Sequence, residues 1–216
     1  MKDCTAILLM GGQGLRIGES TPKQFLPLGK KLLYEYSLAT FSSSLYFDEI
    51  ILVSNIPSIG PLPSNVRIVQ GGETRQESSF IGLSSCKKET KFVVIHDVAR
   101  PFITHEILKR NIDAVLQYHA VNTCIPSPDT INSSHTTLVE QILDRKISYL
   151  GQTPQSFSYP LILEAHQKTK RTNVSDDCAL VHELGHPIQI VLGSPLNFKI
   201  TTPFDLELAN FFLYKN

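Results

Sequence analysis

Apolar positions along the chain follow two rhythms. Short continuous runs, "TAILLM" (Thr5–Met10), "EIILVS" (Glu49–Ser54), "VRIVQ" (Val66–Gln70) and "KFVVIHD" (Lys91–Asp97), are rich in β-branched residues and end at turn residues. Such runs predict strands covered on both faces. Between them, "LLYEYSLATFSS" and "RQESSFIGLSSC" carry helical spacing. Thr104–His119 predicts the clearest helix: Thr104 is a suitable N-cap, and Ile107, Ile112, Val115 and Leu116 recur at helical intervals. Strand and helix in alternation predict an α/β, Rossmann-like fold, with a mostly parallel sheet and helices on both faces.

The rhythm breaks after "VNTCIPSP". From Asp129 to Leu150 the chain is polar, and "TINSSHTTLVEQIL" predicts two short strands around a Ser-Ser-His turn. A hairpin that cannot bury a face by itself needs other protein to lean on, often a second subunit. "YPLILEAHQKTK", "DDCALVHELG", "IQIVLG", "NFKIT" and "PFDLELANFFL" then resume the α/β pattern, with Lys199 expected on a short strand. No linker, repeat or low-complexity tract interrupts the chain. The expectation is a single domain over residues 1–216 with 129–150 as a protruding β-arm.

Composition narrows the function classes. Hydrophobic residues make up 42% of the 216, enough for a full core without disulfides or a structural metal. Lys+Arg and Asp+Glu both number 20, which argues against nucleic acid as a partner. No apolar run approaches the length of a membrane span, so no membrane association is expected. The cysteines, Cys4, Cys86, Cys124 and Cys178, form no CxxC and sit beside apolar residues, as in a protein of the reducing cytoplasm.

Candidate chemistry starts at "LLMGGQGLRIGESTPKQF". The Walker pattern is absent, and the dinucleotide fingerprint starts at Gly12 and Gly14 but meets Ile17 at its third glycine. What remains is a glycine loop after a buried strand, with Arg16 and Lys23 downstream, suited to a polyphosphate. A second glycine turn, "QGGETRQES", brings Gly72, Arg75 and Ser78. "HDVARP" puts Asp97 at the C-terminal end of a strand, where open α/β sheets bind ligands. "HELGH" at 182–186 matches a zinc-protease pattern by letter, but Gly185 and Pro187 predict a helix ending there, with Gly185 as a left-handed cap.

Together "LLMGGQGLRIGESTPKQFLPLG", "GGETRQES", "HDVARPF", "LDRKISYLGQTPQSF", "SDDCALVHELG" and "NFKITTPFDLELA" resemble the cytidylyltransferases that couple CTP to a polyol phosphate, in order along nearly the whole chain. "ILDRK" and "SDDCALVHELG" look more like the family acting on 2-C-methyl-D-erythritol 4-phosphate in the non-mevalonate isoprenoid pathway. "GQTPQSF" and "AVNT" look slightly like the sister family acting on ribitol 5-phosphate.

The resemblance implies a nucleotide-diphospho-sugar transferase type of fold and a homodimer formed through the arm. It also implies that Gly11, Gly12 and Gly14 cradle the CTP triphosphate, while Arg16 and Lys23 stabilise the transition state at the α-phosphorus. Gly72, Arg75 and Ser78 would belong to the cytidine pocket, with Val98 and Ala99 near the ribose and Asp97 beside Mg²⁺. Lys199 and Arg145 would hold the acceptor phosphate, with Thr130 nearby on the arm. Two positions depart from the family pattern. Met10 stands where relatives often carry a small residue, which puts the base pocket in question. Val98 stands where alanine or serine is common, so its ribose contact is expected to be backbone or altered.

No Ser-His-Asp set or general acid–base pair is apparent, and phosphate attack on phosphorus needs none. The nucleophile already carries about −1.5 to −2 charges at neutral pH, and positioning plus positive charge supplies the catalysis. The rival class is a non-catalytic nucleotide-binding domain, which could lose Lys23 or Lys199; both are present.

Overall fold

A computed structural model of the chain describes residues 3–11, 22–56 and 59–215. Its frame is a seven-stranded sheet with β1 (Cys4–Leu9) near the middle. β1 pairs in parallel with β4 (Glu49–Ser54) on one side and β6 (Phe92–Asp97) on the other. β5 (Val66–Gln70) extends the first side, parallel to β4. β2 (Pro27–Leu28) and β3 (Lys31–Leu32) form a separate small ribbon. The four strands β1, β4, β5 and β6 match the predicted runs to within a residue at each end.

Burial explains the sequence rhythm. Every residue of β1 and of β4 is buried, because each strand has a neighbour on both sides and a layer on both faces. Ala6 and Leu8 point to one face, where α1 (Leu33–Ser42) and α3 (His105–Tyr118) contribute Phe41, Leu38, Ile107 and Ile112. Ile7 and Leu9 point to the other, against α2 (Arg75–Ser84), α4 (Tyr159–Lys168) and α5 (Asp177–Glu183). Helices therefore cover both faces, as the pattern predicts. Each fully buried Leu or Ile contributes roughly 1.5–3 kcal/mol.

Local chemistry sets the element ends. Thr104 caps α3, its side chain accepting from the Ile107 N–H at 3.4 Å. His119 ends that helix at φ 65°, and the chain passes directly into β7 (Ala120–Pro126). Thr74 and Glu77 form a capping box at the start of α2.

The other half of the sheet holds the main departure from the sequence pattern. β10 (Tyr149–Ser158) inserts antiparallel between β6 and β7, and β11 (Gln189–Leu192) closes the edge parallel to β7. The expected arm thus ends in the sheet, since Tyr149 and Leu150 already pair with β7. The predicted hairpin is present as β8 (Ile131–Ser133) and β9 (Gln141–Leu143). The closing helix, α6 (Pro203–Lys215), packs Ala209 against Leu26, Leu28, Leu33 and Ile200.

Candidate active site

The C-terminal ends of β1, β4, β5 and β6 open into a cleft of about 790 Å³. β1 lies where the chain changes direction across the sheet, with β4 on one side and β6 on the other, and open α/β sheets bind ligands at such a point. Gly11, Gly72, Arg75, Ser78, Val98 and Ala99 all line this cleft, as do Lys23, Asp97 and Lys199. Gly12, Gly14 and Arg16 lie outside the described residues. Thr130 and Arg145 sit on and beside the hairpin, outside the cleft lining; the Arg145 guanidinium donates to the Pro128 carbonyl at 3.3 Å.

The second glycine turn is closely built. The Gly72 N–H donates to Ser78 Oγ at 3.2 Å. A Cβ on Gly72 would lie 2.5 Å from Glu77 Cβ, and Glu77 is the residue whose carboxylate takes the Glu73 and Thr74 N–H groups. Arg75 follows as the first residue of α2, which aims it across the sheet end.

Arg75 forks between two acids. Its Nε donates to Asp97 Oδ1 at 3.1 Å and its Nη1 to Asp177 Oδ2 at 2.7 Å. Asp97 Oδ2 accepts from Lys199 Nζ at 2.6 Å. Asp177 is fully buried and also accepts from Ser79 Oγ at 2.7 Å and pairs with His166 Nε2 at 2.9 Å. Burial alone would raise the Asp97 carboxyl, but the charges of Arg75 and Lys199 outweigh it and hold the group well below the usual carboxylate range. Burial likewise opposes ionisation of Asp177; Arg75 and the His166 contact overcome it and bring the group down to about 2.

Two lysines arrive from distant segments. Lys23 donates to the Ile200 carbonyl at 3.2 Å, tying the turn after the first loop to the segment that carries Lys199. That segment is held by backbone contacts and is not the short strand expected: residues 198–200 have no regular secondary structure. The Ile200 N–H reaches the Ala99 carbonyl at 2.8 Å, which fixes Lys199 opposite Asp97.

At both departures from the family pattern the side chain packs in the core. Met10 is fully buried with Tyr34 and Val98 and does not line the cleft. The Val98 side chain also packs into that core, and its N–H donates to the Leu9 carbonyl. The HELGH segment ends a helix as predicted, with Gly185 at φ 76° and α5 stopping at Glu183.

Sequence reasoning assigned no role to Asp177, His166, Ser79 or Arg100. The signal for Asp177 was two successive acids opening an apolar helix, which reads as N-cap chemistry; Asp176 is that cap, accepting from the Ala179 N–H. Arg100 follows Asp97 by three residues and is anchored to the Asn197 carbonyl at 2.9 Å.

Asp97 faces the cleft as a single ionised carboxylate, and no cluster of three metal-ligating side chains occurs among the described residues. The Asp97 oxygens, paired with Arg75 and Lys199, each keep a second lone pair, so Asp97 would supply one carboxylate ligand to a magnesium ion rather than part of an all-protein cage.

Residues 4–215 match the model of the family described as 2-C-methyl-D-erythritol 4-phosphate cytidylyltransferase. A relative of that name from Syntrophus aciditrophicus is 38% identical, over 97% of this chain and 95% of its own. The structure of 4-diphosphocytidyl-2C-methyl-D-erythritol synthase from Anaerococcus prevotii superposes with a TM-score of 0.85 at 31% identity, covering 99% of both chains. A 2-C-methyl-D-erythritol 4-phosphate cytidylyltransferase from Thermus thermophilus gives 0.80 at 32% identity, covering 96% of this chain and 98% of its own.

Proposed function

The chain belongs to the 2-C-methyl-D-erythritol 4-phosphate cytidylyltransferase family, and from that membership we propose that it transfers the cytidylyl group of CTP to 2-C-methyl-D-erythritol 4-phosphate. The products are 4-diphosphocytidyl-2-C-methyl-D-erythritol and pyrophosphate. The observation that carries the reading is the meeting of Lys23, Lys199 and the Arg75–Asp97 pair, from four segments, at one end of the sheet.

The acceptor phosphate brings its own charge, so no protein group has to remove a proton. An acceptor oxygen forms the new bond to the α-phosphorus while the bond to the pyrophosphate oxygen breaks on the opposite side. The chain supplies positive charge where negative charge gathers: Lys23 and Arg16 on the nucleotide side, Lys199 on the acceptor side. Gly11, Gly12 and Gly14 leave backbone room for the triphosphate, and Gly72 with Ser78 shapes the cytidine pocket beside Arg75. Val98 and Ala99 lie near the ribose in this reading, and the Val98 contact is by backbone or altered, since its side chain is in the core. Asp97 would hold Mg²⁺, which when bound would supply positive charge against the triphosphate and the leaving pyrophosphate.

The working unit in this reading is one domain whose arm, the part of residues 129–150 that precedes β10, pairs with that of a second copy. Exposed Leu138, Ile142 and Ile147 on the arm support a covering partner. Thr130 and Arg145 then complete the acceptor site of the neighbouring subunit. Four free cysteines support a reducing, cytoplasmic setting.

The test is pyrophosphate release with CTP and Mg²⁺, comparing methylerythritol 4-phosphate with ribitol 5-phosphate. Turnover with the first is expected. A preference for ribitol 5-phosphate would move the chain to the sister activity, and release with neither would leave a nucleotide-binding domain.

A further inference from the structure

Behind the cleft floor lies a polar group that the transfer itself does not use. His96 is fully buried, one residue before Asp97. Its Nε2 lies 3.2 Å from the Arg100 carbonyl and its Nδ1 lies 3.0 Å from Thr153 Oγ1. Ser37 Oγ also lies 3.4 Å from Nε2 and has the Arg100 carbonyl at 3.2 Å as its own acceptor; with the Ser37 proton directed there, Nε2 carries a proton and donates to the same carbonyl. The Asp97 N–H donates to Thr153 Oγ1 at 3.1 Å, which leaves the hydroxyl proton to donate to Nδ1. One chain of donors and acceptors satisfies all these groups: Asp97 N–H to Thr153, Thr153 O–H to His96, His96 N–H to Arg100.

The far end of the chain reaches Lys199. The Arg100 guanidinium donates to the Asn197 carbonyl at 2.9 Å, and Asn197 Nδ2 donates to the Thr153 carbonyl at 2.8 Å. Asn197 stands two residues before Lys199. One end of the hub thus fixes the backbone of Asp97 and the other fixes the segment carrying its lysine partner. Phe41 packs on the imidazole at 5.2 Å between centroids and helps to hold the ring in place.

We propose that His96, acting with Thr153, is a positioning residue that sets the spacing between Asp97 and Lys199 for the attacking phosphate. The inference rests on the cytidylyltransferase reading and adds a residue to it. Misplacement of an acceptor-side cation by an ångström costs about 100-fold in rate, whereas the glycine turns at Gly11 and Gly72 lie on other segments and only the ribose contact at Val98 and Ala99 follows His96 directly. The effect therefore falls more on turnover than on nucleotide affinity.

The experiment compares Thr153→Val, which keeps the side-chain shape, with His96→Leu and His96→Gln. Wild-type turnover with CTP and methylerythritol 4-phosphate is the control; its absence rejects the activity and not the hub. With the control active, Thr153→Val and His96→Leu are expected to lower kcat about 10- to 100-fold. Calorimetric CTP affinity should fall far less than kcat, because the glycine turns at Gly11 and Gly72 are untouched. His96→Gln, whose amide can accept and donate at similar spacing, should recover part of the loss. The Thr153→Val/His96→Leu double variant should be no worse than His96→Leu alone. Folded variants with wild-type kcat, or with CTP affinity lost in step with kcat, overturn the proposal. A readout on the unaltered protein covers variants that fail to fold. Nitrogen-15 shifts of the His96 ring should report the Nε2–H tautomer, and an Nδ1–H tautomer overturns the hub.

Discussion

Lys199 Nζ and Asp97 Oδ2 lie 2.6 Å apart across 102 residues of sequence. The other Asp97 oxygen is held by Arg75, so one carboxylate joins the start of α2, the end of β6 and the segment before α6. The acid holds both cations at the cleft.

Lys199→Ala should lower kcat about 100- to 1,000-fold, the scale for losing one preorganised charge at a developing anion. CTP affinity measured by calorimetry should change little, because Arg75 still holds Asp97. Affinity lost together with turnover would place Lys199 on the nucleotide instead.

Arg75→Met should cost stability as well as binding. Asp177 is fully buried and would lose its cation, retaining the Ser79 and His166 contacts. Breaking a buried pair on one side costs about 3–5 kcal/mol. Urea unfolding should show a clear fall in midpoint together with weaker CTP binding; an unchanged midpoint contradicts this account.

Asp177 predicts a pH signature. Its folded value, about 2, is below the ordinary 3.8, so its stabilisation is complete above 3.8 and is lost as pH falls through about 2. The shift is worth on the order of 2 kcal/mol. Asp177→Asn should be less stable than wild type at pH 7, with the difference narrowing from pH 4 to pH 2. Parallel stability curves over that range contradict the assignment.

Gly72→Ala should disturb the cytidine pocket locally. The new Cβ meets Glu77 Cβ at 2.5 Å and displaces the capping carboxylate at the start of α2. A stability loss of about 1 kcal/mol is expected from the cap, with weaker CTP binding. Wild-type CTP affinity in this variant would show that the turn lies away from the nucleotide.

Arg145 provides the test of arm exchange. Lys23→Ala and Arg145→Ala, each nearly inactive, are mixed and allowed to exchange subunits. If Arg145 serves the neighbouring site, half the dimers are mixed and half their sites intact, so about a quarter of wild-type activity returns. Confirmed exchange with activity at the average of the two mutants would place Arg145 in its own chain's site.

The sequence by itself determined the left half of this protein. β1, β4, β5 and β6 are apolar runs between turn residues, and α2 and α3 begin at Thr caps; these are local signals that survive in one dimension. The ligand edge also followed, because glycines and charged residues come directly after those strands. Only tertiary structure decided β10. Its segment "YLGQTPQSFS" is mostly polar, yet Gln152, Thr153, Gln155 and Ser156 are buried. Each is satisfied from far along the chain: Gln152 by Ser194 and Asn197, Gln155 by Asn122 and Asp176, Ser156 by Asn111, Thr153 by His96. A polar residue reads as exposed until its partner is known, and hydrogen-bond partners dozens of residues away leave no periodic trace. The same reason hid Asp177 and His96, whose roles exist only once separate strands and helices bring their partners within 3 Å.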